Sequence, residues 1–236
     1  MARTETLRVA ILAQTLPSAL RVYCELETLP RTELFIILCR APSETRSRFL
    51  LKHAAHFLRS AGRLKSLRLA LAGRVFLLQK PLDHPESLEL LSGLQLDIGL
   101  HKIGVIYREA TIRAFRLGIL NPHIGILPRY RGRAVMEWSM LEGYPTGITL
   151  FFIDAGIDTG ERIIFSEQVE VRNLSSIDEA KRYLFSLDAP LFRRAIEMLR
   201  EEGFDYTVND LGQGRRYYVM SGLFRSVVEE LLSTER

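Results

Sequence analysis

The sequence predicts an α/β protein, with a Rossmann-like, open, twisted and mostly parallel sheet and helices on both faces. Three observations carry that expectation. Short, continuous apolar runs recur along the first hundred residues, each followed by an amphipathic stretch. Buried strands alternating with covering helices build right-handed βαβ units. The 47% apolar and 25% charged fractions are those of a soluble globular protein. The 236 residues suffice for one well-buried domain and fall short of two of ordinary size.

The elements are expected in the following order. Residues 8–14 and 33–39 (ELFIILC) are apolar strands. Arg3 and Arg8 precede Val9 to Ala13 as in a secretion signal, but that run is shorter than the roughly 7–15 residues of a signal core. It fits a first buried strand. Helices are predicted at 17–29 and from a capping Ser43 through 58, with Phe49, Leu50, Ala54, Phe57 and Leu58 on one face. Strands at 75–78 and 94–100 bracket a helix near 86–91. Residues 108–117 read as a helix leading into the strand that carries Asn121. A helix at 133–142 and a strand at 148–153 follow, and the alternation of 162–171 predicts an edge or antiparallel strand. Ser176 with Glu179 opens a helix reaching about 202. In the tail, Leu223, Val227, Leu231 and Leu232 approach helical spacing, a stripe for core packing or for another subunit. The expected organisation is one domain over 1–205, with a C-terminal appendage over 206–236.

Composition excludes several functions. No window approaches the roughly 18 apolar residues of a membrane span. Cys24 and Cys39 are the only thiols, so no disulfide scaffold is expected; a reducing cytoplasm is the natural setting, with both packed as small hydrophobes. The five His are scattered, with no HxxxH or CxxC spacing, so no metal is expected. The first strand is followed by QTLPSA, without the Gly-x-Gly-x-x-Gly fingerprint of a dinucleotide site. The net charge of +4 comes with 27 Arg against 5 Lys. Arg108, Arg113, Arg116, Arg129, Arg131 and Arg133 cluster, as a grip for phosphate or as a solvated rim. No dedicated nucleic-acid surface is read here.

The chemistry concentrates between residues 121 and 160. In an extended chain Asn121 and His123 project to one side, while Pro122 keeps Asn121 out of the helical region. A carboxamide donates to an oxyanion, and an imidazole exchanges protons near neutral pH. Asp158 ends the run ITLFFIDAGI within reach of the same pocket, to orient the imidazole or relay its proton. All three fall where open sheets bind ligands, beyond the carboxyl ends of strands. Asp158-Thr159-Gly160 also matches the aspartic-protease triplet, but a second triplet and an all-β framework are missing. Asp154 reads as a turn former.

In order, the segment contains Asn121-Pro122-His123, Leu127-Pro128, Arg131-Gly132, Gly147-Ile148-Thr149 and Asp154 through Gly160. It resembles the catalytic core of the formyltransferases that use 10-formyltetrahydrofolate, which act on glycinamide ribonucleotide, methionyl-tRNA or amino-sugar nucleotides. The likeness is clear over about 95–170 and looser over most of the chain. It implies a cytoplasmic, metal-free enzyme that moves a formyl group to a primary amine. Asn121 would bind the oxyanion, His123 would stabilise it or take the amine's proton, and Asp158 would tune His123. Folate would lie against Gly104, Ile106 and Tyr107, and against Asp154, Ala155, Gly156 and Ile157. Arg129, Arg131, Gly132 and Arg133 would meet the acceptor. The Gly- and Ser-rich phosphate loop of the glycinamide ribonucleotide branch and the appended barrel of the methionyl-tRNA branch are not seen, so a small amine such as an amino-sugar nucleotide is expected, with folate as the other partner. A tRNA enters only as the acceptor in the methionyl-tRNA alternative. A formyltetrahydrofolate hydrolase, a silent binding relative and a homodimer remain open.

Overall fold

The computed structural model describes residues 5–59 and 63–234. The chain forms two compact units that meet at Leu120 and Asn121. The first contains strands β1 (Leu7–Ala13), β2 (Thr32–Cys39), β3 (Val75–Leu78), β4 (Leu96–Lys102) and most of β5 (Phe115–His123). They lie in the order β3-β2-β1-β4-β5, all parallel, with Val9 opposite both Leu34 and Ile98. Val9, Ala10, Ile11 and Leu12 are wholly buried. A strand covered on both faces reads as a continuous apolar run, which is why this segment shows no alternation.

Helix α1 (Leu16–Leu26) follows β1 at once; Thr15 caps it by accepting from the Ser18 N–H, and Pro17 pre-sets its first turn. Helices α2 (Arg46–Arg59), α3 (Arg63–Leu71), α4 (Pro85–Gly93) and α5 (Glu109–Arg113) complete the unit. Three expectations change here. The α2 start is held by Thr45, whose hydroxyl accepts from the Arg48 N–H 3.3 Å away, so Ser43 is no cap. The buried positions of α2 are Phe49 and His53, whereas Ala54 is exposed; Phe57 and Leu58 lie outside the described side chains. The helix expected over 108–117 ends at Arg113, because Phe115 already pairs with Leu96 and is buried in β5. Cys39 is buried, which pushes its thiol up to about 12. Cys24, in contrast, is exposed, since it lies on the solvent side of α1.

The second unit holds the end of β5 with β6 (Tyr130–Gly132), α6 (Val135–Leu141), β7 (Gly147–Phe152), β8 (Arg162–Gln168), α7 (Ile177–Ser186), α8 (Asp188–Met198), β9 (Thr207–Val208), β10 (Arg215–Tyr217) and α9 (Gly222–Thr234). As alternation predicted, β8 runs antiparallel to β7; β9 pairs antiparallel with β8, and β10 pairs parallel with β6. The single helix expected to reach 202 is two. Ser176 does cap α7, accepting from the Glu179 N–H. Pro190 then occupies the first turn of α8, where its missing N–H could not have continued α7. On α9 the buried residues are Val228 and Leu232, while Leu223, Val227 and Leu231 are exposed. The helix packs on α6 and α7 through a face rotated from the expected stripe. No helix among the described residues is long and apolar enough to cross a membrane.

Within the first unit, His101 on β4 lies beside Tyr107, with Nδ1 and the phenol oxygen 2.8 Å apart. Burial, reinforced by Lys102, pushes the imidazole down to about 4. The unfolded chain takes up this proton near pH 6.5 and the folded chain only near 4, so stability present above pH 6.5 is lost as pH falls through that window. The linkage amounts to about 3 kcal/mol. Denaturant titrations at pH 7 and pH 4 are expected to show a correspondingly smaller loss for His101→Gln than for the parent.

Candidate active site

The site is built from the residues that leave β5. The strand ends on Asn121, Pro122 and His123, and its extended backbone sets Asn121 and His123 to one side. Asn121 is half-buried, and His123 is 7% exposed. The imidazole lies between two partners. Nε2 is 2.8 Å from the carbonyl oxygen of Tyr130, and Nδ1 is 3.4 Å from Asp158 Oδ1. A carbonyl can only accept, so Nε2 carries a proton. The other carboxylate oxygen, Asp158 Oδ2, accepts the Gly132 N–H at 2.8 Å. An exchangeable proton therefore has its place between Nδ1 and Oδ1. A Cβ at Gly125 would lie 2.7 Å from Nε2, so glycine there keeps room for the ring.

Each part of the motif has a physical role. Thr149 Oγ1 donates to the Gly125 carbonyl at 2.7 Å and accepts the Leu127 N–H at 3.1 Å, fixing the loop that follows His123. Asp154 Oδ1 accepts from the Gly156 N–H (2.9 Å) and the Thr159 hydroxyl (2.7 Å), so it forms the turn that delivers Asp158. Asp158 itself has φ of 54°. A non-glycine residue in that region is held there by its surroundings, and such strain concentrates at functional sites. Part of the hold is Asn209, which sequence reasoning missed. Its buried amide donates to the carbonyls of Asp158 and Gly160 at 3.2 and 3.0 Å. It is one of only three Asn in the chain, a thin signal with no local motif around it.

The predicted acceptor residues differ in their surroundings. Arg129 is exposed and stacks over Tyr144, 4.1 Å from the ring centre. Arg131 donates to the Leu211 and Gly214 carbonyls at 3.2 and 3.0 Å, so part of its guanidinium serves the fold. Arg133 is exposed. Of the residues expected to meet folate, Ala155 and Gly156 are exposed and Ile157 is half-buried on the turn that Asp154 makes. In the first unit Ile106 and Tyr107 line a cavity of about 280 Å³ beyond the carboxyl ends of β1 to β4, together with Gln14, Cys39, Lys80 and Thr111. Gly104 is not part of its wall. Ligands of open α/β sheets bind at such strand ends. Thr111 Oγ1, buried in this wall, has no hydrogen-bond partner among the described residues. No cluster of three or more His, Cys, Asp or Glu able to hold a metal occurs among the described residues.

Residues 90–196, which include Asn121, His123 and Asp158, match the family described as formyl transferase. The matched segment spans a little under half of the chain. A methionyl-tRNA formyltransferase of Syntrophus aciditrophicus is 33% identical to the chain over 125 residues, covering 52% of this chain and 40% of that protein. The chain thus spans well under half the length of that relative. Two solved formyltransferases share the fold of the chain. A sugar N-formyltransferase from Shewanella superposes with a TM-score of 0.65 at 12% identity, covering 97% of this chain and 88% of the other. PseJ from Anoxybacillus kamchatkensis, solved with UDP-4,6-dideoxy-4-formamido-L-AltNAc and tetrahydrofolate, gives 0.53 at 17% identity, covering 89% and 85%. The α/β fold expected from the sequence is the fold of these formyltransferases.

Proposed function

We propose that the chain transfers a formyl group from 10-formyltetrahydrofolate to the primary amine of a small acceptor. The observation that carries the reading is the His123–Asp158 pair, one strand residue away from Asn121, inside the segment that matches the formyl transferase family. The folate supplies the formyl carbon. Asn121 donates a hydrogen bond to the formyl oxygen as attack by the amine turns it into an oxyanion. The Nδ1–Oδ1 position accepts the proton that the amine loses when its nitrogen bonds to carbon. His123 then returns it to the nitrogen that leaves as the old C–N bond breaks, so no net proton is consumed. Ile106 and Tyr107 are assigned to the pterin, for which the cavity's size and the unpaired Thr111 hydroxyl suit one ring system with polar edges.

For the acceptor, an amino-sugar nucleotide is favoured by the two sugar formyltransferase folds and by Arg129 and Arg133, whose exposed guanidinium groups suit phosphate. A second reading, methionyl-tRNA, has its own support in the 33% identity to that enzyme and in residues 45–82, which hold nine Arg or Lys and no Asp or Glu. The deciding experiment offers purified protein 10-formyltetrahydrofolate with a panel of amino-sugar nucleotides, with methionyl-tRNA, and with no amine, following folate absorbance and product mass. Formylation of a sugar amine supports the reading. Formyl-methionyl-tRNA alone would replace the acceptor, and formate release without amine would make the protein a hydrolase.

A further inference from the structure

We propose that Glu142, through Tyr130 and Tyr217, ties the C-terminal strand β10 to β6 and so positions the His123–Asp158 pair; this rests on the function proposed above. Both holders of the pair belong to β6: the Tyr130 carbonyl faces His123 Nε2, and the Gly132 N–H donates to Asp158 Oδ2. A displacement of β6 therefore moves both partners of the pair at once. What fixes β6 lies in the tail. The hydroxyls of Tyr130 and Tyr217 each donate to the Glu142 carboxylate at 2.9 Å, and Arg215 pairs with it. The two phenol rings stack with centres 5.2 Å apart. Along the strands, the Arg133 N–H donates to the Tyr217 carbonyl at 3.1 Å and the Arg215 N–H to the Arg129 carbonyl at 3.3 Å. Trp138 Nε1 donates to the Tyr218 carbonyl at 2.8 Å.

The electrostatics suit a permanent tie. Burial works to raise the Glu142 carboxyl, but the hydrogen bonds from Tyr130, Tyr217 and Arg215 outweigh it and hold the group below its ordinary value. Burial, with Glu142 beside it, raises the Tyr130 hydroxyl, so it remains a donor. Near neutral pH the carboxylate is ionised and both phenols are protonated. Charge-assisted hydrogen bonds of this kind are about twice as strong as neutral ones. Tyr130 thus has its ring end fastened by Glu142 and its carbonyl end against the imidazole. Glu142, Tyr130 and Tyr217 are positioning residues, acting through β6 on groups that meet the substrate.

The test uses the full chain labelled with ¹⁵N-histidine. Tyr217→Phe keeps the stacked ring and removes one bond to the carboxylate; Glu142→Ala removes every bond to it and leaves the backbone pairing and the stacked rings. Both are expected to move the His123 ring-nitrogen resonances away from the single Nε2–H form. Turnover should fall roughly tenfold while the KM for folate stays within about twofold, because misplacement acts on the reacting geometry rather than on uniform binding. Arg225→Ala, on α9 of the same tail and in an exposed pair with Asp178 of α7, is expected to change neither readout. A folded Glu142→Ala protein with parental resonances and parental turnover overturns the proposal. Should that variant not fold, Tyr217→Phe decides by the same two readouts. The resonances need no reaction, so their shift in a protein that transfers no formyl group would sustain the tie while removing the function proposed above.

Discussion

Replacing His123 by alanine, or Asn121 by alanine, is expected to lower turnover at least about 10²-fold in each case, the usual scale for losing a proton-transfer group or an oxyanion donor. The two losses differ in kind. Without His123 the amine's proton has no acceptor beside Asp158, whose Oδ2 is already occupied by the Gly132 N–H. Without Asn121 the developing oxyanion loses a donor while the His123–Asp158 pair stays intact. Asn121 is half-buried, whereas His123 is buried against Tyr130 and Asp158, so circular dichroism and melting temperature are measured on each variant and turnover is expressed per folded protein. Steady-state rates on the true acceptor provide the check, and near-parental turnover by either variant would take that residue out of the mechanism.

Gly132→Ala is expected to cost about 3 kcal/mol of stability, from a positive-φ backbone and a steric conflict together. Gly132 has φ of 106°, and a Cβ there would be driven into the Tyr217 carbonyl oxygen, a backbone atom held within the β6–β10 pair. The same displacement would pull the Gly132 N–H from Asp158, so activity should fall further than the folded fraction does. Denaturant titration and turnover, measured on one preparation, separate these effects. A variant as stable as the parent would show that β10 yields without cost.

The elements legible in the sequence are those whose cause is local. The β1 and β2 runs announce themselves because buried parallel strands are apolar at every position. The motif from Asn121 to Gly160 is legible because its members are fixed by short-range geometry: strand alternation for Asn121 and His123, an Asx turn for Asp154, and one threonine bonding the loop after β5. What was misread has non-local causes or competing local signals. Phe115 favours β5 because Leu96 waits beside it, which no window around 108–117 can reveal. The break between α7 and α8 was signalled by Pro190 and masked by the continuous periodicity on either side. The exposed face of α9 depends on where α6 and α7 stand. Asn209 and Glu142 carry no motif; each becomes visible only when distant segments meet.

The β6–β10 pairing also orders events in time. Arg131 reaches the Gly214 carbonyl across 83 residues of sequence, and the strand that supports Tyr130 and Gly132 is made well after the residues it supports. A ribosome releases its product from the N-terminus onward, so Asn121, His123 and Asp158 have all emerged well before their support exists. Until Tyr217 leaves the exit tunnel, the growing polypeptide carries these three residues without the strand that steadies the edge beside them. Competence therefore arrives only after β10 has emerged, and a chain cut before β10 would retain the signature residues without their alignment.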